Sequence, residues 1–224
     1  AATRSARSMA GPRFSGSAPA DRQAMTSATA PKYNRMTSEQ RSASLVQAGL
    51  ACLARGGILE FTIDNICNEA GVSRGLITHH FKYKDGLLVA VYRAMYERLH
   101  AGLVAPNPKK PRLLAIIDAM FAPEFFSREE LNIWLALWSE IVNNPALKRE
   151  HRRQYTRYRR DLEAALAEVA TARALSVDVT SLAHMLIALV VGLGLERCIE
   201  PKLLSPKAAE QICVATLELA LGPL

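Results

Sequence analysis

The sequence predicts an all-α protein, and three observations predict it. Apolar residues recur at intervals of three and four from Ser38 to Leu221, as one face of a helix requires. Beyond Pro111 no stretch alternates apolar with polar residues as a half-buried strand would, and the breaks fall on glycine, proline and asparagine. A chain of 224 residues, half of them apolar, can bury one large core or two modest ones. The expected architecture is an N-terminal head of three helices, a connecting fourth helix and a C-terminal helical bundle, about nine helices in all.

The formal net charge is +7, and its placement is more informative than its size. Six basic residues against one acid lie in 1–37, nine against six in 38–110, and thirteen against fourteen in 111–224. The basic excess therefore sits at and before the head, where a polyanion-binding end needs it. Residues 1–37 are rich in Ala, Ser, Pro, Thr and Arg, and their few large apolar groups cannot offset the entropy of ordering. A disordered basic arm is expected there, either adding phosphate contacts or inert, and it carries no apolar stretch of the secretory kind. No apolar run is long enough to cross a membrane, so a soluble protein with no membrane partner is expected. Cys52, Cys67, Cys198 and Cys213 are scattered on apolar faces without metal spacing. They read as buried free thiols in a reducing cytoplasm, and neither metal nor cofactor is expected.

The first helix, 38–55, carries Leu45, Ala48, Gly49, Cys52 and Leu53 on one stripe and stops at Gly56 and Gly57. Next, Ile63, Ile66, Cys67 and Ala70 fall at i, i+3, i+4 and i+7, with Thr62 placed to cap the turn. Gly71 can leave that helix with positive φ, Val72 drops between two helices, and Ser73 is placed to cap the following one. In that helix Ile77 and Phe81 share a side with Val72, Ile66 and Leu88, so the opposite arc is exposed. It holds Gly75, Leu76, Thr78 and His79, with Arg74 at its start and Lys82, Tyr83 and Lys84 at its end. Two short helices joined by such a turn read as a helix-turn-helix occupying 38–83 together with the first helix. Arg74 and His79 can donate to base acceptors in a major groove, Leu76 can meet a thymine methyl, and Gly75 lets the backbone approach. Lys82 and Lys84 suit phosphates, which set register and affinity. The fourth helix, from about Lys84, has Leu87, Leu88, Val91, Met95 and Leu99 on one face and serves both parts of the protein. A segment with three prolines, 105–111, ends it, so 84–110 is read as connecting helix and linker and 111–224 as a second domain.

Helical patterns continue over 112–121, 128–143, 146–172, 179–199 and 206–221, with breaks at Pro123, Asn144, Pro145, Pro201 and Pro206. Trp134 and Trp138, at i and i+4, stack on one helix face; they read either as an aromatic cage for a quaternary ammonium or as plain core. Arg149, Arg152, Arg153, Arg157, Arg159 and Arg160 interleave with Tyr155 and Tyr158, but acids at Glu150, Asp161 and Glu163 make a solvated, ion-paired face the expectation. The last two helices are apolar on more than one side, through Leu182, Met185, Leu186, Leu189, Gly192 and Leu193, then Ile212 and Leu217. A face of that kind needs a second partner, and the same pair of helices from another copy would supply a two-fold interface. His184 is expected in that interface or the core.

The run AGVSRGLITHHFKYKDGLL, preceded by Thr62 and the helix from Leu45 to Leu53, resembles the signature of the TetR family of bacterial repressors. GLITHHF followed by a lysine-rich turn and DGLL is similar to the BetI-like, choline-responsive subgroup, and the resemblance covers most of the chain from about Met36. It implies a homodimeric repressor released from a pseudo-palindromic DNA operator by a small-molecule effector, choline or a related quaternary amine. The subgroup carries a similar Trp-x-x-x-Trp, and Glu140 lies near enough in sequence to serve as counter-charge. Thr78 stands where the family often has an aromatic residue, and Val191, Gly192, Leu193 and Gly194 stand where it usually reads Asp-Gly-Leu-Trp. Two heads would enter successive major grooves about 34 Å apart, and a ligand would tilt the fourth helix, with a coupling of about 1–3 kcal/mol. The alternatives are an apolar or drug-like effector, an effectorless architectural DNA binder, and a helical enzyme using His79 and His80 near Asp85, or His184 near Glu196. No nucleophile with an oriented base, metal motif or phosphate loop accompanies those histidines.

Overall fold

Thr37 opens the first helix with a reciprocal cap. Its hydroxyl accepts from the Gln40 amide at 3.2 Å, and the Gln40 side chain accepts from the Thr37 amide at 2.9 Å. That helix, α1, spans Ser38–Gly56 and ends on Gly57 at φ 65°, which leads into a 3-10 turn, Gly57–Leu59. The computed structural model describes residues 36–104 and 109–224. Residues 1–35 of the basic arm expected over 1–37, and most of the proline segment over 105–111, therefore lie outside the described residues; Thr37, placed in that arm by the sequence, is instead the cap of α1.

The helix-turn-helix follows from local signals. α2, Ile63–Ala70, begins on the Thr62 hydroxyl, which accepts from the Asn65 amide at 3.1 Å, and ends on Gly71 at φ 63°. α3, Arg74–Phe81, starts after Ser73, but the Ser73 side chain makes no capping hydrogen bond, contrary to the expectation from sequence. The turn out of α3 is tight: Lys82 has φ 67°, and the Tyr83 amide donates to the Phe81 carbonyl at 2.8 Å. α4, Lys84–Val104, departs so closely that a Cβ on Gly86 would overlap the Phe81 carbonyl oxygen. Ile66, Ile77 and Leu88 are buried together with Leu45, Leu53, Phe61 and Val91, while Val72 and Phe81 pack against them half-buried.

The body comprises α5 (Arg112–Met120), α6 (Pro123–Phe126), α7 (Arg128–Ile141), α8 (Pro145–Ala172), α9 (Val179–Ile199) and α10 (Pro206–Leu221). Among the described residues there are thus ten α-helices, against about nine expected. The additional one is α6, whose Pro123 is not a break but the first residue of a single turn. Pro145 and Pro206 likewise occupy first turns, behind Asn144, which accepts from the Ala146 and Leu147 amides at 3.1 and 3.0 Å, and behind Ser205.

α4 joins the two parts: it packs on α1 and α3 at one end and on α5 and α8 further along. α1 also packs against α7, a contact between head and body that periodicity alone does not indicate. By length and composition two spans, Ser38–Leu59 and Val179–Ile199, would suffice to cross a membrane, contrary to the expectation from sequence. In α1 that apolarity forms the core of the head, through Leu45, Leu50, Cys52 and Leu53. In α9 it is divided between the core of the body and an outward face.

Candidate functional site

α3 presents the surface expected to read DNA. Arg74, Gly75, Thr78, His79, Lys82, Tyr83 and Lys84 are exposed, as are Thr62 and Ser73, and a Cβ at Gly75 would meet nothing within 4 Å. Leu76 differs: it is half-buried and packs on the core, so only part of its side chain faces outward. Arg74 Nη2 pairs with Asp64 Oδ1 at 2.5 Å, with both side chains more than half exposed. Such pairs contribute about 0–1 kcal/mol, so the guanidinium is held in place at little energetic cost to its release. The tight turn at Lys82 sets Lys82, Tyr83 and Lys84 on one exposed corner beside α3.

The second feature is a cavity of about 400 Å³ in the body. Six helices wall it: α4 supplies Tyr96 and Leu99; α5 Met120; α6 Phe125 and Phe126; α7 Leu131, Trp134 and Trp138; α8 His151, Tyr155 and Tyr158; α9 Ile187, Val190, Val191 and Gly194. Trp134 and Trp138 stack at 5.7 Å between ring centroids with planes 26° apart, and Tyr96 meets Trp134 edge-on at 5.2 Å. Trp134 thus belongs to the buried core and Trp138, half-buried, packs against it, and both line the cavity. Glu140 is not on this wall, so the expected counter-charge is not where the sequence placed it.

Among the described residues the wall carries no Asp, Glu, Lys or Arg. Burial pushes the His151 imidazole below its ordinary value, keeping it neutral near pH 7, and its Nδ1 lies 2.7 Å from the Tyr92 hydroxyl. Burial likewise holds Tyr96 protonated, pushed up to about 12, with Tyr158 raised further for the same reason. The buried glutamates nearby are committed to α4 instead. Glu130 on α7 pairs with Arg98 at 3.2 Å, and Glu150 on α8 pairs with Arg93 at 3.2 Å. Glu150 also accepts from Arg153 and Gln154, each at 2.7 Å; although burial works to raise it, hydrogen bonds from Arg93, Gln154 and Arg153 bring its carboxyl down to about 2.

Sequence reasoning missed Tyr96, Phe125, Phe126 and His151. The signal available was the aromatic content of four separate segments, which only the packing brings together. Val191 and Gly194, where the resemblance expects an acid and an aromatic residue, both lie on the cavity wall.

The outer face of the last two helices requires a correction. Leu186, Leu193 and Leu217, expected at an interface between copies, are buried in this chain's own core. Leu182, Met185 and Leu189 pack against that core half-buried, whereas Gly192 and Ile212 are exposed. The outward stripe comprises Ala188, Val191, Gly192, Leu195 and Ile199 on α9 with Ile212, Ala215 and Leu219 on α10; Ile199 is 75% and Leu219 89% exposed. His184 Nε2 lies 3.4 Å from Arg159 Nη1.

Residues 45–91 match the family of bacterial regulatory proteins described as tetR, and residues 109–222 match the C-terminal family of BetI-type transcriptional repressors. The HTH-type transcriptional regulator BetI of Paraburkholderia xenovorans (strain LB400) is 32% identical over 196 residues, which cover 82% of this chain and 95% of that protein. Among solved structures, a transcriptional regulator from Pseudomonas aeruginosa PAO1 superposes with TM-score 0.73 at 36% identity, covering 84% of this chain and 93% of that one. A transcriptional regulator from Saccharomonospora viridis, solved in complex with choline, shares the fold with TM-score 0.69 at 23% identity, covering 81% of this chain and 97% of its own. These relatives are regulators, not enzymes. The chain belongs to the TetR family of transcriptional regulators, and its C-terminal half is of the BetI repressor type.

Proposed function

We propose that this repressor works as a cytoplasmic homodimer released from its operator by a quaternary amine such as choline, held in the aromatic cavity. The observation that carries the effector class is the Trp134–Trp138 stack on an uncharged wall, with Tyr96, Tyr155 and Tyr158 around the same space. Aromatic faces attract a desolvated quaternary cation by about 2 kcal/mol or more. The choline bound by the regulator from Saccharomonospora viridis supports the same chemistry. Because Tyr96 and Leu99 belong to α4, an occupant that displaces them acts directly on the helix that carries the head. Arg74, Gly75, Leu76, Thr78 and His79 read base edges, while Thr62, Ser73, Lys82, Tyr83 and Lys84 meet phosphates and sugars. The outward stripes of α9 and α10 join two copies, setting the heads for successive grooves.

One observation favours a second effector class. Among the described residues no carboxylate lines the cavity, and Val191 and Gly194 leave apolar space, which suits a neutral apolar ligand. A gel-shift against DNA flanking the protein's own gene tests the proposal, with choline or its neutral carbon isostere, 3,3-dimethylbutan-1-ol, added to the complex. Release by choline alone supports the amine; release by the isostere alone selects the apolar reading; no specific shift at all removes the operator from the flanking DNA. Arg74→Ala should weaken operator binding by about 1–3 kcal/mol and leave random DNA nearly unaffected, whereas equal losses on both would assign Arg74 to phosphate.

A further inference from the structure

The arginine run of α8 was expected to be a solvated face diluted by acids, and the packing changes that balance. Glu150 is buried and turned inward onto Arg93, Arg153 and Gln154; Glu163 is taken by Arg159 at 3.2 Å; Asp161 lies 3.1 Å from His100. What faces outward is a groove at the seam of α4 and α8, about 790 Å³ in volume, lined by Arg149, Arg152, Arg153, Arg157 and Arg160. All five are exposed, and among the described residues only Arg153 of the five is in an ion pair. Arg149, Arg153 and Arg157 follow at four-residue intervals and Arg160 three later, so successive side-chain stems rise by roughly 4.5–6 Å along one face. Against them the groove sets, among the described residues, the carboxylates of Glu97 and Asp161.

We infer that this groove is a binding site for a small multivalent oxyanion, separate from the aromatic cavity. Guanidinium forks bind phosphate and carboxylate oxygens in pairs, and several converging on one groove favour an anion of more than one charge. Two macromolecular occupants fit less well. A protein interface has an apolar centre, and among the described residues no large apolar side chain lines this groove. Operator DNA is out of reach, because Glu97 lies thirteen residues along α4 from Lys84, roughly 20 Å from the head at helical rise. The site takes its charge from arginine, which stays protonated, so its affinity for an anion of fixed charge falls with salt.

The test is calorimetric titration of the full chain with inorganic tripolyphosphate and, separately, with citrate, which distinguishes phosphate from carboxylate groups as the source of charge. Saturable binding of either at one site per protomer, weakened about tenfold or more in Arg152→Glu/Arg157→Glu, is the expected result. Arg152→Lys/Arg157→Lys keeps the charge but loses the fork, and should fall between the two. Lys82→Ala/Lys84→Ala, which alters the DNA-reading corner, should bind both anions as the parent does. Unchanged melting temperature of each variant ties the losses to the groove. Three results overturn the inference: no saturable binding of either anion, binding that survives Arg152→Glu/Arg157→Glu, or parental affinity in the lysine variant, which would mean a diffuse field without a built site.

Discussion

Trp138→Leu is the substitution that asks most directly what the cavity recognises. Trp138 is only half-buried, whereas Trp134 is 8% exposed, so Trp138 can be changed with less disturbance to the core. Leucine keeps an apolar surface but removes one aromatic face from the stacked pair, whose ring centroids are 5.7 Å apart. For a desolvated quaternary cation that face is worth about 2 kcal/mol, which corresponds to roughly 30-fold in affinity. The neutral isostere 3,3-dimethylbutan-1-ol has nearly the same shape and no charge, so it should lose only contact area, a few-fold at most. The comparison is internal: the quantity read is the ratio of choline to isostere affinity, which should fall about tenfold in the variant. Calorimetry gives both constants, and fluorescence gives a second reading, because the chain has two tryptophans and all indole emission in the variant comes from Trp134. Equal weakening of the two ligands would show that Trp138 contributes area without cation attraction, and the amine reading would lose its physical basis.

Three further predictions follow from the packing. Gly86→Ala should destabilise the protein by about 1–3 kcal/mol in chemical denaturation, since the new methyl would overlap the Phe81 carbonyl; an unchanged midpoint would mean that the α3–α4 turn relaxes freely. Glu150→Gln should lower stability by about 2 kcal/mol at pH 7, and the sign of its pH dependence is fixed by the depressed carboxyl. The stabilisation is present above the ordinary value of 4.5 and is lost as pH falls toward about 2, so parent and variant should converge across that window; a constant difference would assign the effect to packing. Leu195→Asp combined with Leu219→Asp places charges on outward faces where the side chains are 44% and 89% exposed, so the protomer should fold and sediment as a monomer with weakened operator binding. A persistent dimer would locate the interface elsewhere.

The head was legible because its signals are local. Thr62, Gly71 and the stripe of Ile63, Ile66 and Cys67 each act within four residues, and each stands in the structure where the pattern placed it. Ser73 shows the limit of this logic: the residue type and position suit a cap, yet the hydroxyl is not used. Glu140 fails for a geometric reason that sequence proximity hides. Two residues beyond Trp138 is roughly 200° around the helix, which turns it away from the face that the tryptophans share. Periodicity shows that α9 is apolar on several sides but not which side meets its own chain, so Leu186, Leu193 and Leu217 were indistinguishable from Leu195 and Leu219. The cavity was least legible of all, because a space walled by six helices has no signature in any one of them, and one of the six, α6, is a single turn behind a proline.

The two ion pairs that join α4 to the body limit how it can move. Arg93 is pinned to Glu150 on α8, and Arg98, five residues on, is pinned to Glu130 on α7, so the two restraints pull on different neighbours. Sliding α4 by one turn, about 5.4 Å, would break both; Glu150 would keep Arg153 and Gln154, but Glu130 would be left unpaired in the interior, at a cost of several kcal/mol. That exceeds the roughly 1–3 kcal/mol by which one ligand ordinarily biases a switch. A pivot that leaves both pins engaged has no such penalty, so the helix is built to swing and not to piston.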